Sequence, residues 1–73
     1  MSPAVPRGLS GERVGKALLR GGFEYVSTRG SHAKYRADDR TVIVPLHSEL
    51  APGTLRSILR QADWTLDQLL GHL

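Results

Sequence analysis

Phe23-Glu24-Tyr25-Val26-Ser27-Thr28-Arg29-Gly30-Ser31-His32-Ala33-Lys34-Tyr35-Arg36-Ala37-Asp38-Asp39-Arg40-Thr41-Val42-Ile43-Val44 is the stretch that decides the fold. Residues 23–28 are rich in aromatic and β-branched side chains, which suit a pleated, half-buried surface, so they predict a strand. Arg29-Gly30 reads as a turn. Ser31 to Arg36 alternates strictly, with Ala33 and Tyr35 facing one way and His32, Lys34 and Arg36 the other. Asp38-Asp39-Arg40 is a polar hairpin connection, and Thr41–Val44 is a third strand ended by Pro45. Strands joined this tightly pair antiparallel.

The flanks read as helices. Ser10 is a candidate N-cap, and Glu12 favours the positive end of the helix that follows. Val14, Ala17 and Leu18 recur at helical spacing, and Gly21-Gly22 stops the run. Pro52 opens a second helix with Leu55, Ile58, Leu59 and Ala62 as its apolar stripe. Thr65 and Gln68 fit a capping box for a short last helix that carries Leu69, Leu70 and Leu73. The expected fold class is α+β: a three-stranded antiparallel sheet in an α-β-β-β-α order, helices on one face, the other face open to solvent. Residues 1–9, with two prolines and a glycine, read as a flexible N-terminal tail, and 10–73 as one domain.

The chain has 73 residues, enough for one core that buries about 60% of the unfolded surface. Chemistry is therefore expected on a face or in a shallow groove. With no cysteine, disulfides and thiolate metal sites are excluded. No apolar run reaches the roughly 20 residues of a membrane span, and the start lacks the apolar stretch of a signal peptide, so a soluble cytoplasmic protein with no membrane partner is expected. The net charge is +3, and eight of the ten cations are Arg, whose planar fork suits phosphate.

His32 is the centre of the functional reading. Alternation sets it beside Lys34 and Arg36 on the face opposite Ala33 and Tyr35, with Arg29 in the preceding turn. Imidazole titrates near neutral pH, so it can take and give a proton. RNA cleavage needs both steps: a base for the 2′-hydroxyl and an acid for the departing 5′-oxygen. Neighbouring cations stabilise charge on the phosphate. Against this, a solvent-facing histidine on a strand is usually plain surface polarity, and a run of cations is usually a solvated face. Gly30-Ser31 admits two readings, a hairpin turn or a close backbone approach to phosphate. His47 is a possible second proton-transfer group if the second and third strands pair side by side. His72 lies at a frayed end. Trp64 is expected to make a core or partner contact. The three histidines are scattered without metal-ligand spacing, and neither metal nor cofactor is expected. Arg56 and Arg60 lie one turn apart on the exposed side of the second helix.

Three segments, taken together, resemble the HicA toxin family. They are Gly22-Phe23 leading into Arg29-Gly30-Ser31-His32; Thr41-Val42-Ile43-Val44-Pro45-Leu46-His47; and Leu50-Ala51-Pro52-Gly53-Thr54-Leu55-Arg56-Ser57-Ile58-Leu59-Arg60-Gln61-Ala62. The resemblance covers about residues 10–73. It implies a fold like a double-stranded-RNA-binding domain and the toxin role in a type II toxin–antitoxin pair. It also implies metal-independent endoribonuclease action on mRNA that arrests translation, with the histidine of Gly-Ser-His, here His32, as catalyst. The family's partner is a HicB-type antitoxin, in a complex expected to be a higher-order hetero-oligomer. On this reading Arg29, Gly30, Ser31, Lys34 and Arg36 bind the RNA phosphates. The readings from other classes are a non-catalytic RNA-binding module and a DNA-binding module using residues 52–62. Against the latter, Leu55, Ile58 and Leu59 are needed by the core.

Overall fold

The computed structural model describes residues 6–73. Its elements run α1 (Gly11–Arg20), β1 (Glu24–Arg29), β2 (His32–Ala37), β3 (Arg40–Pro45), α2 (Pro52–Ala62) and α3 (Leu66–His72). The sheet is antiparallel in the order β1-β2-β3. The α-β-β-β-α arrangement expected from the sequence is therefore the one observed.

α1 and α3 start where the sequence supplies a side-chain partner for the free N–H groups, while α2 has no side-chain cap and opens on Pro52. Ser10 accepts from the Arg13 amide over 3.1 Å. At α3, the Thr65 hydroxyl accepts from the Gln68 amide over 3.2 Å, while the Gln68 side chain accepts from the Thr65 amide over 2.7 Å. That reciprocal cap matters in a helix of seven residues, too short to persist alone. Thr65→Ala is expected to cost about 1 kcal/mol, read as a lower urea midpoint at unchanged slope.

One core holds the layers together. Val14, Ala17 and Leu18 of α1, Ala33 and Tyr35 of β2, Val42 and Val44 of β3, Leu55 and Ile58 of α2 and Leu69 of α3 are all buried in it. Each of the fully buried leucines contributes roughly 1.5–3 kcal/mol against exposure. The apolar stripe read for residues 52–62 lies in this core, which removes it from any role as a DNA-reading surface. Burial, with smaller effects from Tyr25 and Glu12, raises the Tyr35 phenol above its ordinary 10.0. Trp64 stands between α2 and α3, half-buried, edge-on to Phe23 at 5.8 Å and tilted over His72 at 5.1 Å. His72 is thus a packing residue rather than a frayed one, and its carbonyl accepts from Arg20 over 2.9 Å.

Several boundaries differ from the sequence reading. Residues 1–5 of the expected tail lie outside the described residues. Its last two residues are anchored: Leu9 is 5% exposed, its carbonyl accepts from Leu50 over 2.8 Å, and the Gly8 amide donates to Glu49 over 3.0 Å. Arg40 belongs to β3, where it pairs with Ala37, so the hairpin loop is Asp38-Asp39 alone, with Asp38 in the left-handed region at φ 54°. In β1 the register slips by one residue between Tyr25 and Ser27. That bulge sets Tyr25 opposite Tyr35, the rings edge to face at 5.8 Å, instead of opposite Arg36.

Candidate active site on the open sheet face

A two-residue turn builds the site. Gly30 sits at φ 57°, where a side chain would be strained, and the chain reverses so that Arg29 pairs with His32. Residues facing each other this way have Cβ atoms about 4.5–5.5 Å apart. His32 is the first residue of β2 and is exposed. Ala33 and Tyr35 are buried beneath the strand, so His32, Lys34 and Arg36 stand on the open face. Lys34 is two residues along from His32, about 7 Å.

The cross-strand rows complete the face. His32 lies between Arg29 and Pro45, Lys34 between Ser27 and Ile43, Arg36 between Glu24 and Thr41. Among the described residues, the ion pairs are Lys16–Glu12 at 3.5 Å and Arg40–Asp63 at 3.0 Å. Among the described residues Arg29, Lys34 and Arg36 make no ion pair, although Glu24 is the cross-strand neighbour of Arg36. Their charge is directed at solvent, and at whatever anion docks there.

Ser31 is tied to the far strand by its backbone: its carbonyl accepts from the Leu46 amide over 2.6 Å. The next residue, His47, has its carbonyl fixed by the Gly11 amide over 2.9 Å. The first turn of α1 therefore clamps the segment that runs past the end of the sheet. The second and third strands do pair side by side, but His32 meets Pro45, and the exposed His47 lies two residues beyond that last rung. The structure brings His32, Arg29, Ser31, Lys34 and Arg36 onto one connected surface, with His47 at its margin. Among the described residues, no three His, Asp or Glu side chains gather as a metal-ligand set, and no helix is long and apolar enough to cross a membrane.

Sequence reasoning missed the contribution of α1. Gly11 is buried, and a methyl group there would overlap the Pro45 carbonyl oxygen. The signal was present: Gly11, Val14, Gly15 and Leu18 follow the 3-4 spacing of the apolar stripe, but glycine adds nothing to a hydropathy pattern.

No curated protein matches the chain. A family model described as the HicA toxin of bacterial toxin-antitoxin matches residues 11–64, from the first turn of α1 through Trp64, and includes the whole sheet and α2. The chain belongs to the HicA toxin family, the toxin member of a bacterial toxin–antitoxin pair.

Proposed function

We propose that this toxin is an endoribonuclease that cuts mRNA without a metal ion, with His32 as its general acid–base. The observation that carries this is the pairing of His32 with Arg29 at an exposed strand end, with Lys34 and Arg36 on the same face and none of the three cations in an ion pair among the described residues. His32 takes the proton of a ribose 2′-hydroxyl. The 2′-oxygen attacks the adjacent phosphorus, and the bond to the 5′-oxygen breaks. The leaving oxygen takes a proton from the histidinium, from water or from His47. The products are a 2′,3′-cyclic phosphate and a 5′-hydroxyl end. Arg29 and Lys34 hold the phosphate and stabilise the charge that grows on it; Gly30 and Ser31 let the backbone approach, and Arg36 holds the next phosphate along.

Two consequences are measurable. In excess EDTA the protein is expected to cut an unpaired RNA and to leave intact the same strand carrying a 2′-deoxy sugar at the cut. Cleavage of the deoxy strand, or 5′-phosphate ends, would rule the mechanism out. Each of Arg29→Ala and Lys34→Ala is expected to weaken RNA binding and to lower the slope of log affinity against log salt by about 0.7, the value for one phosphate contact on a single strand. An unchanged slope would remove that residue from the phosphate site.

The same face is the natural target of the antitoxin. A HicB-type protein that lays an acidic or inserted segment over His32 blocks the chemistry and meets a cationic surface. The toxin–antitoxin complex then forms a higher-order hetero-oligomer in the cytoplasm, where the mRNA is.

A further inference from the structure

We infer that the groove between β3 and α2 is a subsite for one nucleobase of unpaired RNA, next to the phosphate at which His32 acts as acid–base; this rests on the ribonuclease reading above. The groove has a volume of about 370 Å³. Its sheet wall is Ile43 and Pro45, and its helix wall is Gly53, Thr54, Ser57 and Gln61. It is continuous with the active face, because Pro45 is the cross-strand neighbour of His32 and Ile43 that of Lys34. A strand of RNA with its scissile phosphate at His32 thus has the groove one step away.

The lining chemistry selects the occupant. Ile43 and Pro45 offer an apolar wall to the flat face of a base. Thr54 and Ser57 offer hydroxyls to its edge. Gln61 is already committed: its carbonyl oxygen accepts from the Ile43 amide over 2.9 Å, and its amide nitrogen donates to the Ser57 hydroxyl oxygen over 3.2 Å. That second bond orients Ser57, whose own proton is left to donate to a ring nitrogen or carbonyl oxygen. The rims are cationic. Arg56 and Arg60 follow Gly53 and Ser57 by three residues on the same side of α2, and both are exposed. On the sheet side, Lys34 is the cross-strand neighbour of the groove residue Ile43. A base in the groove would have its flanking phosphates between these cations. Bases in a duplex have their edges paired and their faces stacked, so only unpaired RNA presents the group that fits.

Gly53 provides the test. A Cβ added there meets nothing within 4 Å, so a side chain starts into open space bordering the groove. Leucine is also the better helix former, so Gly53→Leu is expected to fold at least as well as the native chain, checked by its melting curve. The probe is a short unpaired oligomer with 2′-O-methyl sugars, which cannot be cut, and a series of it lacking one base at each position in turn. On the native protein, one position is expected to show about a tenfold loss of affinity when its base is removed, in line with roughly 1–3 kcal/mol per stacked base. On Gly53→Leu the intact oligomer is expected to bind about tenfold more weakly, with no further loss at that position. Identical base-removal profiles on the two proteins, with the native one still cutting RNA, would overturn the subsite and leave the ribonuclease reading standing. Undiminished RNA binding with weakened antitoxin binding would overturn it in favour of a protein-docking groove. A native protein that neither binds nor cuts RNA would overturn both.

Discussion

His32→Ala is expected to slow RNA cleavage by about 10²–10⁴-fold, the usual worth of one positioned proton-transfer group. The fold should not register the change. His32 is exposed, heads its strand, and makes no side-chain hydrogen bond among the described residues. Its removal should move stability by no more than about 0.5 kcal/mol. The measurement is single-turnover cleavage at matched concentrations, alongside a thermal melt of each protein. His72→Ala is the internal control, because it removes a histidine that stacks on Trp64, away from the open face. A His32→Ala protein that cuts at the native rate would transfer the chemistry to another group, and retained binding without any cleavage by the native chain would make this a binding module.

The second large effect concerns stability. Gly11→Ala adds one methyl group, yet it is expected to cost about 3 kcal/mol. The new carbon would overlap the Pro45 carbonyl oxygen, with the Pro45 carbonyl carbon 2.9 Å and the Leu46 Cα 3.0 Å away. These are backbone atoms at the end of a paired strand, so neither can swing aside as a side-chain tip would. Overpacking of this kind costs about 1–3 kcal/mol, and here the upper end applies because pushing the helix away would also stretch the 2.9 Å Gly11–His47 hydrogen bond. In a domain of this size the melting point should fall by on the order of 15 °C. Gly53→Ala is the matched comparison, since Gly53 also lies in the first turn of a helix but faces open space. There alanine should add about 0.5 kcal/mol. Equal effects at the two glycines would show that helix propensity, rather than the close approach of α1 to Pro45, decides the outcome.

The contrast between those glycines also marks what the sequence can and cannot disclose. Period-2 alternation at His32–Arg36 and period-3.6 recurrence at Leu55–Ala62 each report which side of an element is dry, and both faces were legible. The Thr65–Gln68 cap was legible because each side chain accepts from the other residue's backbone amide across a fixed spacing. The turn before His32 was legible but read one residue early: it is Gly30-Ser31 rather than Arg29-Gly30, and that places Arg29 in β1 opposite His32. Long-range contacts were not legible. Nothing local says that Gly11 meets Pro45, that Leu9 enters the core, or that the Gln61 side chain reaches the Ile43 amide. The bulge in β1 was hidden for a related reason: Val26 has the same strand-forming character whether paired or extra, and only the partner strand distinguishes the two. The site was therefore legible as a face, while the groove beside it, made by two elements distant in sequence, was not.

The bond from the Ile43 amide to Gln61 has a consequence for how copies of this chain can aggregate. A sheet grows into a fibril by accepting a new strand at one border while offering a fresh border at the other. Here α2 packs along β3 and Gln61 occupies its central donor, so that border is taken. Only β1 can recruit another copy, and its own register slip spoils the straight template. Two molecules joined there would each present a closed side outward, so lateral addition by strand pairing ends at a pair instead of growing into a fibril.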